Sequence, residues 1–476
     1  MNFRRWVVFT FLVHALVLLV DKGGGLVLYL LCAAERDQHG KSSIAASLPF
    51  ILGAVANLGL ATSLVYFVRK RRYTPQVAFE TAMGVALVWG GLVAIVSIAV
   101  LLWFLPWLRT DWALDPWLVV PICSVVPLLL VASYANSTQL ATERIKDYGA
   151  VHLVTSLAFL PAFFACFFLF GGSVKDGDVP LGVAWGRLLS TVVVAIVALL
   201  LVRKIVRLRI RIDEPFLRAG LRFGWKANIV STLTYLNHRV DLIVLSAVYF
   251  AYIRAQEQDQ AVAAELALVQ VAFYSMSVTW AELVWHFPEA MRDLFFSKVA
   301  GSSHEQARLL SPVLSRLGLA LSLVGAVGIL LLLDPVMGAI TMVAKGSAEP
   351  WTVGWSPAVR ESLLWLIPGT VAFTVSKVLQ ADLSARNQLQ VCINAQLLVL
   401  GLMLFFDFLL IPVHGALGAA QASTFAYIAS TVYTCMEYCR QTGTPMWRVL
   451  VVHPSDFRYI REIFVAVLGK LQRSRT

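Results

Sequence analysis

Long apolar runs separated by short polar stretches dominate the sequence. A helix needs about 20 mostly apolar residues to cross a bilayer. By that measure the pattern predicts twelve spans: 6–33, 43–68, 76–104, 117–140, 149–171, 180–202, 219–249, 262–288, 310–334, 359–384, 390–412 and 416–439. The connections are short and carry turn formers and charges, as in Lys175-Asp176-Gly177-Asp178, and none is long enough for a soluble domain. The expected fold is therefore all-α and polytopic, with two six-helix lobes at 1–204 and 219–440. A basic linker at 205–218 joins them, and a tail at 441–476 follows. In the tail Phe457, Ile460, Phe464, Val467 and Leu471 recur every three or four residues, with Arg458, Arg461, Glu462 and Lys470 off that stripe. This predicts an amphipathic helix lying in the cytoplasmic interface rather than a thirteenth span.

Composition excludes a soluble alternative. Of the 476 residues, 59% are hydrophobic and 14% charged, against about 45–50% and about 25% in soluble chains. The net charge of +11 becomes informative once it is read by position. Of the 39 Lys and Arg, 26 fall in the two ends and the loops after even-numbered spans, taking Arg222 with the linker; seven fall in the loops after odd-numbered spans, taking Arg360 with the loop before span 10. That asymmetry predicts an inner-membrane protein with both termini in the cytoplasm. The basic start (Arg4, Arg5) lacks a small-residue cleavage site after its apolar stretch, so an uncleaved first span is expected. The densest basic stretch, Arg203-Lys204, Arg207, Arg209, Arg211, Arg218 and Arg222, lies between spans 6 and 7. It reads as an orientation signal touching anionic headgroups, with guidance of an anionic substrate as the rival reading. Nucleic acid is not an expected partner, because no aromatic reading surface accompanies the charge.

Catalytic signatures are missing from the sequence. There is no HExxH, no GxSxG and no Cys/His cluster, so no enzyme activity, cofactor or metal is expected. The six cysteines form no CxxC pair and read as small buried hydrophobes.

What stands out is polar residues within spans, which are expensive in hydrocarbon. Span 8 places Ser275, Thr279, Glu282, His286 and Glu289 on one helical face. Span 7 does the same with Asn228, Thr232, Tyr235 and Arg239, and span 10 with Thr370, Thr374 and Lys377. Span 1 carries Asp21-Lys22 before three glycines, span 3 Glu80, and span 6 Arg187. Faces of this kind either line a watery cavity or pair with one another in a dry bundle. The cavity reading makes Lys22, Arg187, Arg239 and Lys377 candidate ligands for an anionic cargo, since a guanidinium fork or an ammonium suits phosphate. Asn228, Thr232, Tyr235, Ser275, Thr279 and Thr374 become candidate polar lining, and Asp21, Glu80 and Glu282 candidates for ion coupling.

Several segments resemble a known family. Gly224 to Leu245, with Asn237-His238-Arg239-Val240-Asp241-Leu242-Ile243-Val244-Leu245, is similar to the seventh helix of bacterial polysaccharide flippases. So are Ala272-Phe273-Tyr274-Ser275, Leu283-Val284-Trp285 and Pro288-Glu289-Ala290. Ile367-Pro368-Gly369 through Lys377-Val378-Leu379, Ala381-Asp382-Leu383 and Arg386 resemble the tenth-helix pattern, and His414-Gly415-Ala416 with Gly418-Ala419-Ala420 the last connection. In the first half only Gly59-Leu60-Ala61-Thr62-Ser63 and the helix layout correspond. The family is the oligosaccharide-lipid and polysaccharide exporter branch of the MOP superfamily, which also holds multidrug MATE transporters and lipid II flippases. The resemblance implies two lobes around a central, typically cationic cavity that opens to either side in turn. It also implies export of a polyprenyl-diphosphate-linked oligosaccharide, with a glycan polymerase and a chain-length regulator as further partners beside membrane lipids.

Two rivals stand beside that reading. One is a multidrug exporter of the same superfamily, which a cationic cavity disfavours. The other is a membrane-embedded glycan polymerase or acyltransferase, which the short outer loops disfavour. The charge asymmetry predicts that reporter fusions at positions 72, 210 and 476 read cytoplasmic and those at 112, 176 and 347 periplasmic. A periplasmic reading at 476 would overturn the topology.

Overall fold

The computed structural model describes residues 36–109, 116–170, 178–257, 259–299, 304–344, 351–386 and 388–451, with a few isolated positions before 36. Expected span 1, apart from those positions, and the whole of the expected tail helix lie outside them. Among the described residues the chain forms only helices: α1 Arg36–Ala56, α2 Leu60–Arg69, α3 Pro75–Arg109, α4 Pro116–Ala141, α5 Ile145–Leu169, α6 Val179–Val202 and α7 Glu214–Arg254. There follow α8 Gln260–Val299, α9 His304–Ala344, α10 Trp351–Ala385, α11 Leu389–His414, α12 Ala416–Thr442 and the short α13 Trp447–Leu450. Helices α3 to α12 coincide with spans 3 to 12.

Eight of the described helices are long and apolar enough to cross a membrane, and the bent pair α1/α2 adds a ninth. Helices α7 and α12 are long enough, at 41 and 27 residues, but carry too many polar groups to meet the same test. Large apolar side chains such as Val88 (69% exposed), Val324 (71%) and Phe408 (64%) face outward. In water such a surface would aggregate; in a bilayer it is the lipid face.

The second span is not the continuous helix that its apolar run suggests. It breaks at Asn57–Gly59 and bends by 50°, with Leu58 and Gly59 both at positive φ (56° and 71°). Glycine adopts that conformation freely and leucine does not. The carbonyls freed by the break find partners within the protein: Trp89 Nε1 donates to Ala56 O (3.1 Å) and Tyr134 Oη to Asn57 O (2.8 Å). In lipid such satisfaction is obligatory.

The break also makes room for a close helix crossing. A Cβ on Gly59 would lie 2.1 Å from the carbonyl oxygen of Gly224, and one on Gly224 would lie 2.6 Å from Gly59 O and from Ser63 Oγ. Ser63 Oγ donates to Gly220 O (2.7 Å) across the same seam. Further along, a Cβ on Gly40 of α1 would meet Leu268 O of α8 at 2.3 Å. Small residues at crossings are how membrane helices approach each other.

These contacts decide how the chain is grouped. The helices separate into two compact units, one of Val20–Ser275 with Ile411–Ala416, the other built on Met276–Leu410 and the chain from Leu417. By contacts the division falls within α8, where the sequence had placed it at 205–218, because α7 and the start of α8 dock on α1 and α2. In the first unit the core gathers Leu60, Leu64, Phe67, Phe79, Tyr134, Val202 and Phe216. In the second, Gly369 of α10 abuts Thr424 of α12, whose Cα a Cβ on that glycine would meet at 2.7 Å.

Gly224→Ala should lower the thermal midpoint of the purified protein, since overpacking of this kind costs about 1–3 kcal/mol. Gly325→Ala, with nothing within 4 Å of the added carbon, should leave it unchanged or raised. Equal midpoints for the two variants would refute the crossing as a stability element.

Candidate functional site

In the first unit the cation Arg187 is set by the packing of α6 on α5. A Cβ on Gly186 would sit 2.6 Å from the Phe163 Cα, so the two backbones are nearly in touch. One residue on, the Arg187 guanidinium lies 4.3 Å from the Phe159 ring centroid and 5.3 Å from that of Phe50 on α1. Attraction between a cation and a ring face grows as water is removed, to about 2 kcal/mol or more. The half-buried Arg187 is therefore fixed in position by two aromatic rings.

The α7 face behaves unevenly. Tyr235 is exposed, Asn228 and Arg239 are half-buried, and Thr232 Oγ1 donates to Ala54 O (3.3 Å) just before the α1/α2 break. Behind this face the same helix buries Asn237 and Asp241. Tyr274 Oη on α8 donates to Asp241 Oδ2 at 2.5 Å. The next residue, Ser275, is buried; it accepts from Ser43 Oγ (3.1 Å) and donates to Ala272 O (3.0 Å). Glu80 is likewise buried on α3 and accepts from Gln76 Nε2 (2.7 Å), one turn earlier.

In the second unit Lys377 is 8% exposed, and its Nζ lies 3.7 Å from the centroid of Trp285. Trp285 is itself held. Its Nε1 donates to Thr370 O (2.8 Å), and its ring meets Tyr427 edge-on at 5.6 Å. Tyr427 in turn stacks on Phe373 at 4.6 Å. Because Thr370, Phe373 and Lys377 are three and four residues apart, α10 turns all three toward α8 and α12. Thr374 on that helix is fully buried and bonds Ser322 of α9 (3.0 Å), so its hydroxyl serves packing between helices. Thr279 and Glu282 are half-buried on α8, Glu282 one turn before Trp285. Asp21 and Lys22 lie outside the described residues, as do the side chains of His286 and Glu289.

Two groups of functional interest escaped the sequence reading. Asp241 was passed over beside Arg239, although a carboxylate within a span always requires a partner; its spacing of four from Asn237 was the available signal. Trp285 was read only as part of an apolar motif. Its position three residues after Glu282 placed it by the polar face of α8, but nothing in the sequence told that α10 would bring a lysine over its ring.

No protein-family model matches the sequence, and no curated protein matches it. Solved structures do. A multidrug resistance MATE family transporter of the MOP superfamily, in an inward-facing conformation, superposes with a TM-score of 0.65 at 12% identity, covering 90% of this chain and 94% of that one. The lipid II flippase MurJ, in an inward closed conformation, gives 0.65 at 13% identity over 97% and 98%. A MOP superfamily transporter from Pyrococcus furiosus, described as having a binding pocket of reverse polarity that suggests a different function, gives 0.54 at 13% identity over 90% and 95%. Multi-pass through its apolar helices and matched over nearly its whole length, this chain is a membrane protein with the fold of the MOP superfamily transporters.

Proposed function

We propose that this protein translocates a polyprenyl-diphosphate-linked oligosaccharide across the inner membrane by alternating access of two helical lobes. The observation that carries the reading is the aromatic seating of two cations within spanning helices, Arg187 on Phe159 and Phe50, and Lys377 on Trp285. Each cation is held at depth in its own unit. A diphosphate brings the complementary charge, and charge-assisted bonds to phosphate oxygens are stronger than neutral ones. Lys22 and Arg239 complete the cationic set in this proposal. Asn228, Thr232, Tyr235, Ser275 and Thr279 serve the sugars, and Asp21, Glu80 and Glu282 serve ion coupling. The termini lie in the cytoplasm, no bond is made or broken, and a glycan polymerase and chain-length regulator are the natural partners downstream.

A multidrug exporter is the second reading, favoured by the fold shared with a MATE transporter. Typical drug cargo is itself cationic, so Arg187 and Lys377 would repel it.

Arg187→Ala and Lys377→Ala should each lower glycan export by one to two decades, from the roughly 1.5–3 kcal/mol of a charge-assisted contact. Protein in the membrane should stay near its normal level. Arg239→Lys should recover only part of what Arg239→Ala loses, because charge returns without the planar fork. The measurement is glycan at the cell surface together with lipid-linked glycan retained on the cytoplasmic leaflet. Full export by a stable variant with alanine at Lys22, Arg187, Arg239 and Lys377 would reject the proposal. Altered drug sensitivity with intact glycan export would transfer it to the second reading.

A further inference from the structure

Between α6 and α7 the chain has no helix over 207–213 and alternates basic with apolar residues: Arg207-Leu208-Arg209-Ile210-Arg211-Ile212. All six side chains are exposed, Leu208 at 47%, Ile210 at 65% and Ile212 at 51%. An exposed peptide of this kind ordinarily has no fixed course, yet here it is tied to the first turns of α3. Gln76 makes a reciprocal pair with the Arg207 backbone, its Nε2 donating to Arg207 O and its Oε1 accepting from Arg207 N, both at 2.8 Å. Thr81 Oγ1 accepts from Asp213 N at 3.0 Å. At the far end a Cβ on Gly84 would lie 2.8 Å from Ile212 Cγ1 and 3.6 Å from Ile210 Cγ2, so the glycine clears a place for both isoleucines.

The ribbon thus follows α3 from Gln76 to Gly84, about 12 Å of helix rise. It stops within a turn of Leu87 and Val88, where α3 begins to expose large apolar side chains. That sets the ribbon at the depth where a bilayer changes from hydrocarbon to headgroup. The neighbouring acids are already committed: Asp213 caps α7 by accepting from Phe216 N, Glu214 pairs with Arg218, and Glu80 accepts from Gln76. Among the described residues Arg207, Arg209 and Arg211 make no ion pair.

We propose that this ribbon is a preformed binding site for anionic phospholipid headgroups of the cytoplasmic leaflet. Its arginines take the phosphates, and its isoleucines enter the edge of the acyl region beside α3. Charge complementarity and interfacial depth argue for a lipid surface, and the glutamine clamp makes it a built site rather than a diffuse cloud of charge.

The test is native mass spectrometry of the full-length protein in detergent, titrated with phosphatidylglycerol or with phosphatidylcholine of the same acyl chains. Wild type should prefer phosphatidylglycerol, and 1 M salt should abolish the preference, since screening then acts over about 3 Å. The R207Q/R209Q/R211Q variant should bind phosphatidylglycerol on the order of a hundredfold more weakly, about fivefold per arginine. Removing the exposed pair instead, in R203Q/K204Q, should cost much less. Gln76→Ala, which keeps every cation but releases the ribbon, should weaken binding several-fold, and it carries the test if the triple variant fails to fold. Unchanged preference in both the triple variant and Gln76→Ala would overturn the proposal. So would an equal loss in R203Q/K204Q, which would mean net charge alone. Retained phosphatidylglycerol binding with loss only of added polyprenyl diphosphate would also overturn it, making the ribbon a cargo site.

Discussion

Hydrocarbon offers no partner to a peptide group or a charge, so every polar atom in these helices must find its partner inside the protein. Much of the described architecture follows from that demand. The second span can break at Asn57–Gly59 because Trp89 and Tyr134 take up the carbonyls the break releases. The break then lets Gly59 lie against Gly224 and draws the first half of α7 onto α2. Several serines and threonines along the spans turn back to a carbonyl one turn earlier, as Thr138, Thr155 and Thr234 do. A hydroxyl satisfied in that way is structurally neutral and carries no message about cargo.

The charged groups obey the same demand by different means, and the difference bears on function. Asp241 receives the phenol of Tyr274, and Asp382 receives the Arg386 guanidinium at 2.9 Å. Burial of such groups costs several kcal/mol before pairing repays it. Lys377 and Arg187 also have aromatic faces within reach. A ring attracts a cation through its quadrupole and carries no net charge of its own. It steers where the cation sits without competing for the ligand directions that a phosphate oxygen would use. The rigid placing of Trp285 by Thr370 and Tyr427 makes that steering specific to one position.

The helical layout was legible in the sequence because span length and loop charge are local properties. Helices α3 to α12 fall where the apolar runs predict them, including α7 and α12, whose polar content defeats a purely apolar criterion. The bend in the second span was hidden because Asn57, Leu58 and Gly59 interrupt neither the length nor the hydrophobicity of 43–68. Periodicity grouped polar residues by helical face but was silent about which helix each face would meet. Thr374 therefore lies in dry packing with Ser322 while Lys377, less than a turn away, rests on a tryptophan. Glu80 shows the same limit: its partner Gln76 was visible as an i,i+4 neighbour, whereas the link from Gln76 to the Arg207 backbone joins residues more than a hundred positions apart.

The placing of basic residues in loops and the aromatic seats that hold individual cations are two answers to one electrostatic problem. Outside the spans a positive charge is inexpensive, because water and headgroups share it, and the sequence places most of its 39 Lys and Arg there. Inside a span each cation must be compensated locally, and only a few are present. Pairing with a carboxylate and seating on an aromatic ring are two ways of meeting that cost. Just past the end of its span, Arg386 uses the first way, since it is i,i+4 to its carboxylate and only 16% exposed. Arg187 and Lys377 lie in different units and on different helices, yet each has been given an aromatic seat built from neighbours on other helices. In both cases the rings fix where the cation sits without adding a charge of their own, so under the proposed function each seat presents its cation to the phosphate oxygens of an anionic cargo.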